Sequence, residues 1–172
     1  MRAVVVYESM FGNTESVARS VGAGLAPYGE VEVVEVGDAL PQIADDDLLV
    51  VGGPTHAFGM TRESTRQDAR KRTTHEVVSQ RLGVRDWLAS LPGAQAGAPV
   101  SVAVFDTKVH KARRLPGAAR GAAKALQKRG YRPLAVQSFY VDDVEGPLME
   151  GELERAAAWA AMLAQQVKPA RR

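Results

Sequence analysis

Cysteine is absent from this sequence of 172 residues, and histidine occurs only three times. Without cysteine the protein has no disulfide bonds, no thiolate metal ligands and no cysteine nucleophile. The three histidines, His56, His75 and His110, do not fall in the spacing of a zinc site. We therefore predict no metal centre.

Long apolar runs are also missing. No apolar stretch approaches the roughly 20 residues that a membrane-spanning helix requires. The first apolar strand, at residues 3–7, follows the initial methionine almost at once, so we predict no signal peptide. Both absences favour a cytoplasmic protein with no membrane partner.

Acidic residues are missing from one long segment. Between Thr107 and Val141 there is no aspartate or glutamate, although the net charge of the whole chain is only +2. A solvated basic face explains this better than a nucleic-acid site, because no aromatic residue is interleaved with the charges from 108 to 129. Steering of an anionic ligand or partner stays open. The basic residues are Lys108, Lys111, Arg113, Arg114, Arg120, Lys124, Lys128, Arg129 and Arg132.

The most informative segment is the turn from Ser9 to Thr14. A β-branched run typical of a buried strand precedes it, and apolar residues at helical spacing, at 17, 21 and 25, follow it. Gly12 lets the backbone bend, the side chains of Ser9, Asn13 and Thr14 are short and polar, and a helix N-terminus offers unpaired N–H groups. These features suit a phosphate. An ordinary turn in which Asn13 or Thr14 caps the helix fits the same residues.

The rest of the chain alternates strands and helices. We predict strands at residues 30–36, 47–53, 99–105 and 133–141, and helices at 84–91, 115–129 and 151–167. Residues 61–80 are either partly helical or a long loop. The pattern predicts an α/β fold, a three-layer doubly wound parallel sheet of five strands in the order 2-1-3-4-5. We predict one domain over residues 1–167, with a frayed C-terminal tail at 168–172.

Two further loops are expected at the same sheet edge as the first turn. Residues 54–60 follow the third strand and residues 106–110 follow the fourth, and ligands bind at the carboxyl ends of parallel strands. In the first loop, Phe58 and Met60 either form a platform for a planar ring or fold back into the core. The argument for the second loop is its position, because its composition also fits a plain connection.

With these loops in place, the sequence resembles the flavodoxin family over essentially the whole chain. Ser9–Thr14 matches the phosphate loop [ST]-x-x-G-N-T of that family, directly after the first strand. Residues 53–59, Gly-Pro-Thr-His-Ala-Phe-Gly, are similar to the flavin-flanking loop of flavodoxins and of their quinone-reductase relatives.

The resemblance implies that FMN binds with its phosphate on the turn and its ring between the two loops. No catalytic residue is predicted, because flavin redox chemistry needs no protein nucleophile. The residues placed around the cofactor are Ser9, Met10, Phe11, Gly12, Asn13, Thr14, Pro54, Thr55, His56, Phe58, Gly59, Asp106, Thr107, Lys108, Val109 and His110.

Three functions follow from this interpretation. The first is an FMN-binding redox protein that transfers electrons to a partner protein or a small-molecule acceptor. The second is an FMN-dependent NAD(P)H or quinone oxidoreductase, in which His56 or His110 assists protonation and residues 61–80 cover the substrate. The third is a flavin-free binding or regulatory module that keeps the fold.

Overall fold

Five parallel strands and the helices that cover them make up the fold, in a computed structural model that describes residues 1–42, 48–94 and 100–167. The strands are β1 (Arg2–Tyr7), β2 (Glu30–Glu35), β3 (Leu48–Pro54), β4 (Ser101–Val109) and β5 (Pro133–Val141). The α-helices are α1 (Asn13–Leu25), α2 (Glu63–Arg72), α3 (Val84–Ser90), α4 (Ala118–Lys128) and α5 (Glu152–Gln166).

The strand order is β2-β1-β3-β4-β5, and every pairing is parallel. This confirms the predicted fold class and strand order. Because β1 sits between β2 and β3, the direction of the chain along the sheet reverses there. The crevice at such a switch point, outside the carboxyl ends of β1 and β3, is the expected ligand site.

Side-chain alternation along the central strands divides the core into two layers. Leu48 and Val50 of β3 pack on one face with α1 and α5, while Leu49 and Val51 pack on the other face with α3 and α4. The β3 side chains are buried on both faces, as a central parallel strand requires.

Two boundaries differ from the sequence prediction. Residues 106–109 were expected to be loop, but they belong to β4, because β5 continues beside them and pairs Asp106 with Ser138 and Val109 with Val141. Leu115 was expected on the helical stripe, but α4 begins at Ala118 and Leu115 is exposed. The expected starts of the third and fourth strands at 47 and 99 and the tail at 168–172 lie outside the described residues. The single-domain boundary stays a prediction.

Close packing of α1 on α5 depends on Gly24. A Cβ at Gly24 would lie 2.3 Å from the carbonyl oxygen of Ala157 in α5. Contact at that distance with backbone cannot be relieved by a rotamer change, so the two helices would have to separate.

We expect Gly24→Ala to lower the free energy of unfolding by about 1–2 kcal/mol, because overpacking outweighs the better helix propensity of alanine. Gly121→Ala in α4 is the matched control, since its nearest neighbour is the flexible end of Met60, with Cε at 3.4 Å. That variant should be unchanged or more stable by up to about 1 kcal/mol. Urea unfolding of both proteins measures the difference, and equal losses would contradict the packing argument.

Candidate functional site

The turn between β1 and α1 is open on its outer side. Gly12 has a φ of +92°, in the left-handed region that favours glycine, and its N–H donates to the Ser9 Oγ at 3.1 Å. The first N–H groups of α1, beginning at Asn13, have no acceptor within the helix. A Cβ at Gly12 would meet no atom within 4 Å. The turn therefore presents unpaired donors to an open space, as a phosphate site requires.

Neither candidate capping side chain caps α1. The N-cap residue is Gly12, without a side-chain cap. The Asn13 Nδ2 donates to the carbonyl oxygen of Glu145 at 3.0 Å, and the Thr14 hydroxyl lies 2.7 Å from the Thr107 hydroxyl. The predicted capping of α1 by Asn13 or Thr14 is therefore wrong.

Val78 and Ser79, in the segment between α2 and α3, form hydrogen bonds to the turn. The Ser9 N–H donates to the Ser79 Oγ at 2.9 Å, and the Ser79 N–H donates to the Ser9 carbonyl at 2.8 Å. The Val78 N–H donates to the Met10 carbonyl at 3.1 Å. These bonds hold the turn in place without using the N–H groups of α1.

The chain after β3 makes a tight turn over residues 56–59. The N–H of His56 donates to the Gly59 carbonyl at 2.9 Å, and the Gly59 N–H donates to the His56 carbonyl at 3.0 Å. Ala57 and Phe58 both have positive φ, 46° and 64°, which is strained for residues other than glycine. Phe58 is 59% exposed, whereas Met60 is buried in the core. Met60 therefore folds back into the core, as one of the two alternatives expected, whereas Phe58 does not.

The end of β4 brings only some of its predicted residues into the site. Thr107 faces Thr14, but the buried Asp106 accepts from the N–H of Ala119 in α4 at 2.9 Å and from the Thr55 hydroxyl at 3.2 Å. The Lys108 Nζ donates to the carbonyls of Arg113 and Leu115, each at 3.1 Å. The carboxylate of Asp106 and the ammonium of Lys108 are therefore committed to the connection into α4.

His110 lies just beyond β4, at the start of a short 3₁₀ turn, His110–Ala112. Its ring packs edge to face on Tyr140 of β5, with ring centroids 5.4 Å apart. The structure therefore places His110 against β5, and His110 lines neither of the two cavities described next.

Two adjoining cavities form a continuous cleft from the turn to α2. The narrow part holds about 60 Å³ and lies between the turn, residues 54–56 and residues 107–109; the wide part holds about 280 Å³. Phe11, Thr55, His56 and Val144 line both parts. The wide part is completed by Ala57, Thr65, Asp68, Ala69 and Arg72.

The wide part therefore does not lie where the sequence predicted the flavin ring. It is bounded by α2 and by Val144 instead of by residues 106–110. The sequence prediction placed residues 61–80, which contain α2, over the substrate only in the reductase alternative, and it missed Val144 as a cleft residue. Glu63 and Arg66 are three residues apart and form an ion pair in the structure. This spacing of opposite charges was a signal for the helix, but nothing in the sequence placed the helix beside the turn.

His56 is the titratable group in the cleft wall with a clear pKa shift. Burial lowers the pKa of His56, and the positive charges of Arg72 and Arg66 lower it further, against a hydrogen bond to the Thr65 backbone. The imidazole is therefore neutral at pH 7, while Arg72 supplies positive charge to the same cavity.

A buried polar network anchors the cleft loop to α2 and α3. Glu8 accepts from the Thr61 hydroxyl and, at 2.8 Å, from the Val84 N–H. Arg66 donates to the Thr61 Oγ at 3.1 Å and to Asp86 at 3.0 Å. Burial raises the pKa of the Glu8 carboxyl, and the hydrogen bonds from Thr61 and Val84 and the charge of Arg66 oppose the rise.

Within the described residues, no group of three or more histidines, aspartates and glutamates is arranged to hold a metal ion. In the same parts of the chain, no helix has both the length and the apolarity needed to cross a membrane.

Comparison with known proteins gives a family match over part of the chain and a shared fold over most of it. Residues 5–81 match the flavodoxin family model. No curated protein matches the chain. Among solved structures, the chain is similar to oxidised flavodoxin 1 of Bacillus cereus, with 18% identity, a TM-score of 0.66 and coverage of 98% of this chain and 100% of that one.

Two other structures show the range of the similarity. The two-electron reduced flavodoxin of Megasphaera elsdenii has 20% identity and a TM-score of 0.58, with 93% of this chain and 98% of that one covered. A WrbA-like flavodoxin of Agrobacterium tumefaciens has 16% identity and a TM-score of 0.55, with 97% and 99% covered. Residues 5–81 therefore match the flavodoxin family in sequence, and the described chain has the fold of the solved flavodoxins.

Proposed function

We propose that this chain binds FMN in the cleft and carries electrons between redox partners. The observation that carries the proposal is the continuity of the cleft, because one end is an anion cradle and the other is large enough for a ring system. A bound FMN would supply reversible one- and two-electron chemistry. The protein would bind and orient the FMN and set the electrostatic potential around it.

The donor set of the narrow end fits a phosphate monoester. Open N–H groups of α1 and the hydroxyls of Ser9, Thr14 and Thr107 supply uncharged donors. The buried carboxylate of Asp106 accepts from the N–H of Ala119 in α4, and among the residues that the structure describes no aspartate or glutamate lines the narrow part. A phosphate dianion in the narrow part would therefore meet hydrogen-bond donors and no negatively charged side chain of the described residues.

The wide end fits a flat, partly apolar ring. Phe11, Ala57, Ala69 and Val144 supply apolar wall, and Arg72 supplies a positive charge. Asp68 lines the same part and lies 3.9 Å from the ammonium of Lys71. We propose that Arg72 favours the more negative forms of the cofactor.

A spectrum of the purified protein before and after addition of FMN tests the proposal. We expect uptake of one equivalent with a change in the flavin absorption bands and quenching or enhancement of flavin fluorescence. A colourless protein that leaves the spectrum of added FMN unchanged would favour the flavin-free module instead.

An FMN-dependent reductase is the second candidate, and His56 is the observation that favours it. A neutral imidazole in the cavity wall can exchange a proton with a bound small molecule. Steady oxidation of NAD(P)H by a quinone, without an added reductase, would establish the enzyme. Electron transfer only through an added reductase would establish the carrier. A cytoplasmic location stays a prediction.

A further inference from the structure

A second, larger depression lies on the other side of the 56–59 turn. It is a groove of about 540 Å³ between α3 and α4. Leu88 and Ala125 supply apolar surface to it, and Phe58, Gly59 and Met60 close the end next to the cleft. We call it the α3–α4 groove.

Positive side chains surround the α3–α4 groove. Arg120, Lys124 and Lys128 repeat every fourth residue along α4 and are exposed. Arg85 and Arg129 also line the groove, and their guanidinium groups donate to backbone carbonyls at 2.7–3.1 Å. No carboxylate lines it, and in residues 1–42, 48–94 and 100–167 none of these five cations forms an ion pair.

This charge pattern does not stabilise the isolated helix. Like charges four residues apart on a helix repel and cost stability. Some exposed cations elsewhere in the protein are paired with a carboxylate, as Arg19 is with Glu15 on α1 and Arg81 is with Asp38. An acidic surface placed along α4 would turn the repulsion into attraction.

The groove is adjacent to the proposed cofactor site. His56 and Ala57 line the cleft, whereas Phe58 and Gly59, the next two residues of the same turn, line the groove. Phe58 is an exposed aromatic side chain held in a strained turn. Aromatic side chains of this kind commonly anchor protein interfaces.

We propose that the α3–α4 groove docks an acidic protein that exchanges electrons with the cofactor, an inference that rests on the proposed function. The cations from Arg120 to Lys128 extend about 12 Å along α4, and they flank an apolar floor. That combination suits a protein surface that presents carboxylates around an apolar contact. Such a partner would end beside Phe58, one residue away from the cleft.

The test uses a fluorescein-labelled helical peptide that is rich in glutamate and has leucines on one face. Its binding to the full chain is measured by fluorescence anisotropy at low salt. The test variant is Arg120→Gln/Lys124→Gln/Lys128→Gln. The control variant is Lys111→Gln/Arg113→Gln/Arg114→Gln, which removes the same charge from exposed positions outside the groove.

We expect the test variant to lose about tenfold in affinity, because each exposed ion pair contributes roughly a factor of two. The control variant should lose much less, and salt should weaken the binding of the unmodified protein. Equal losses in the two variants would overturn the groove as the docking site. Tighter binding of a single-stranded oligonucleotide of equal charge would also overturn it, in favour of a nucleic-acid site.

FMN uptake is measured on the same samples by absorbance. Peptide binding through the groove does not require the cofactor, so a protein that binds the peptide but not FMN would refute the proposed function alone. A protein that takes up FMN but shows no groove-dependent peptide binding would refute the docking proposal alone.

Discussion

Gly12→Ala is expected to lower the affinity for FMN at least about 100-fold. The new methyl group would occupy the open space in front of the turn, where the proposal places the phosphate. Loss of two charge-assisted hydrogen bonds costs about 3 kcal/mol, which corresponds to about 100-fold in the dissociation constant. Titration of the apoprotein with FMN, followed by flavin fluorescence, measures the change.

Gly151→Ala separates steric exclusion of the phosphate from backbone strain. Gly151 is also the N-cap of a helix, has a φ of +79°, and has no atom within 4 Å of an added Cβ. Both variants should lose about 1–2 kcal/mol of unfolding free energy, because alanine is disfavoured at positive φ. Only Gly12→Ala should lower the affinity for FMN. If both variants bind FMN equally, the phosphate does not sit on the turn.

Local signals explain why the sheet and the turn could be predicted. The β-branched runs in β1 and β3 are buried on both faces and identify central strands. Gly12, the polar side chains of Ser9, Asn13 and Thr14 and the helical repeat after them identify a strand-turn-helix unit. Each of these signals lies within one stretch of sequence and needs no partner to be recognised.

The remaining features depend on contacts between distant segments. Asp106–Val109 looked like loop because their composition is polar, yet β5 pairs with them and extends β4. Val144 reaches the cleft because the segment after β5 folds back, with Glu145 bonded to Asn13. Ser79 reaches Ser9 across 70 residues. Pattern analysis of single segments cannot detect such pairings.

The second large effect is expected at Arg66, which holds the cleft loop through Thr61. Its side chain is only 4% exposed, and it lies within the electrostatic reach of the buried Glu8, whose pKa it lowers. We expect Arg66→Met to cost about 3 kcal/mol of unfolding free energy. Glu8 would keep a buried charge without its nearby cation, and Thr61 and Asp86 would each lose a hydrogen bond from Arg66. Arg70→Met, on the same helix at 35% exposure, should cost less than about 0.5 kcal/mol. Urea unfolding measures both.

A double-mutant cycle with Glu8→Gln tests the cause of that loss. Glutamine removes the buried charge, so Arg66→Met should cost about 1 kcal/mol less in the Glu8→Gln background than in the unmodified protein.

The pKa of Glu8 is raised by burial above its ordinary value of 4.5, so the folded protein binds the proton more tightly than the unfolded chain. Stability from this group is therefore present below pH 4.5 and is lost as the pH rises through the folded pKa. Arg66→Met should steepen this loss with pH, and Glu8→Gln should abolish the steepening. A cost that is the same at every pH and in both backgrounds would show that Arg66 acts by packing alone.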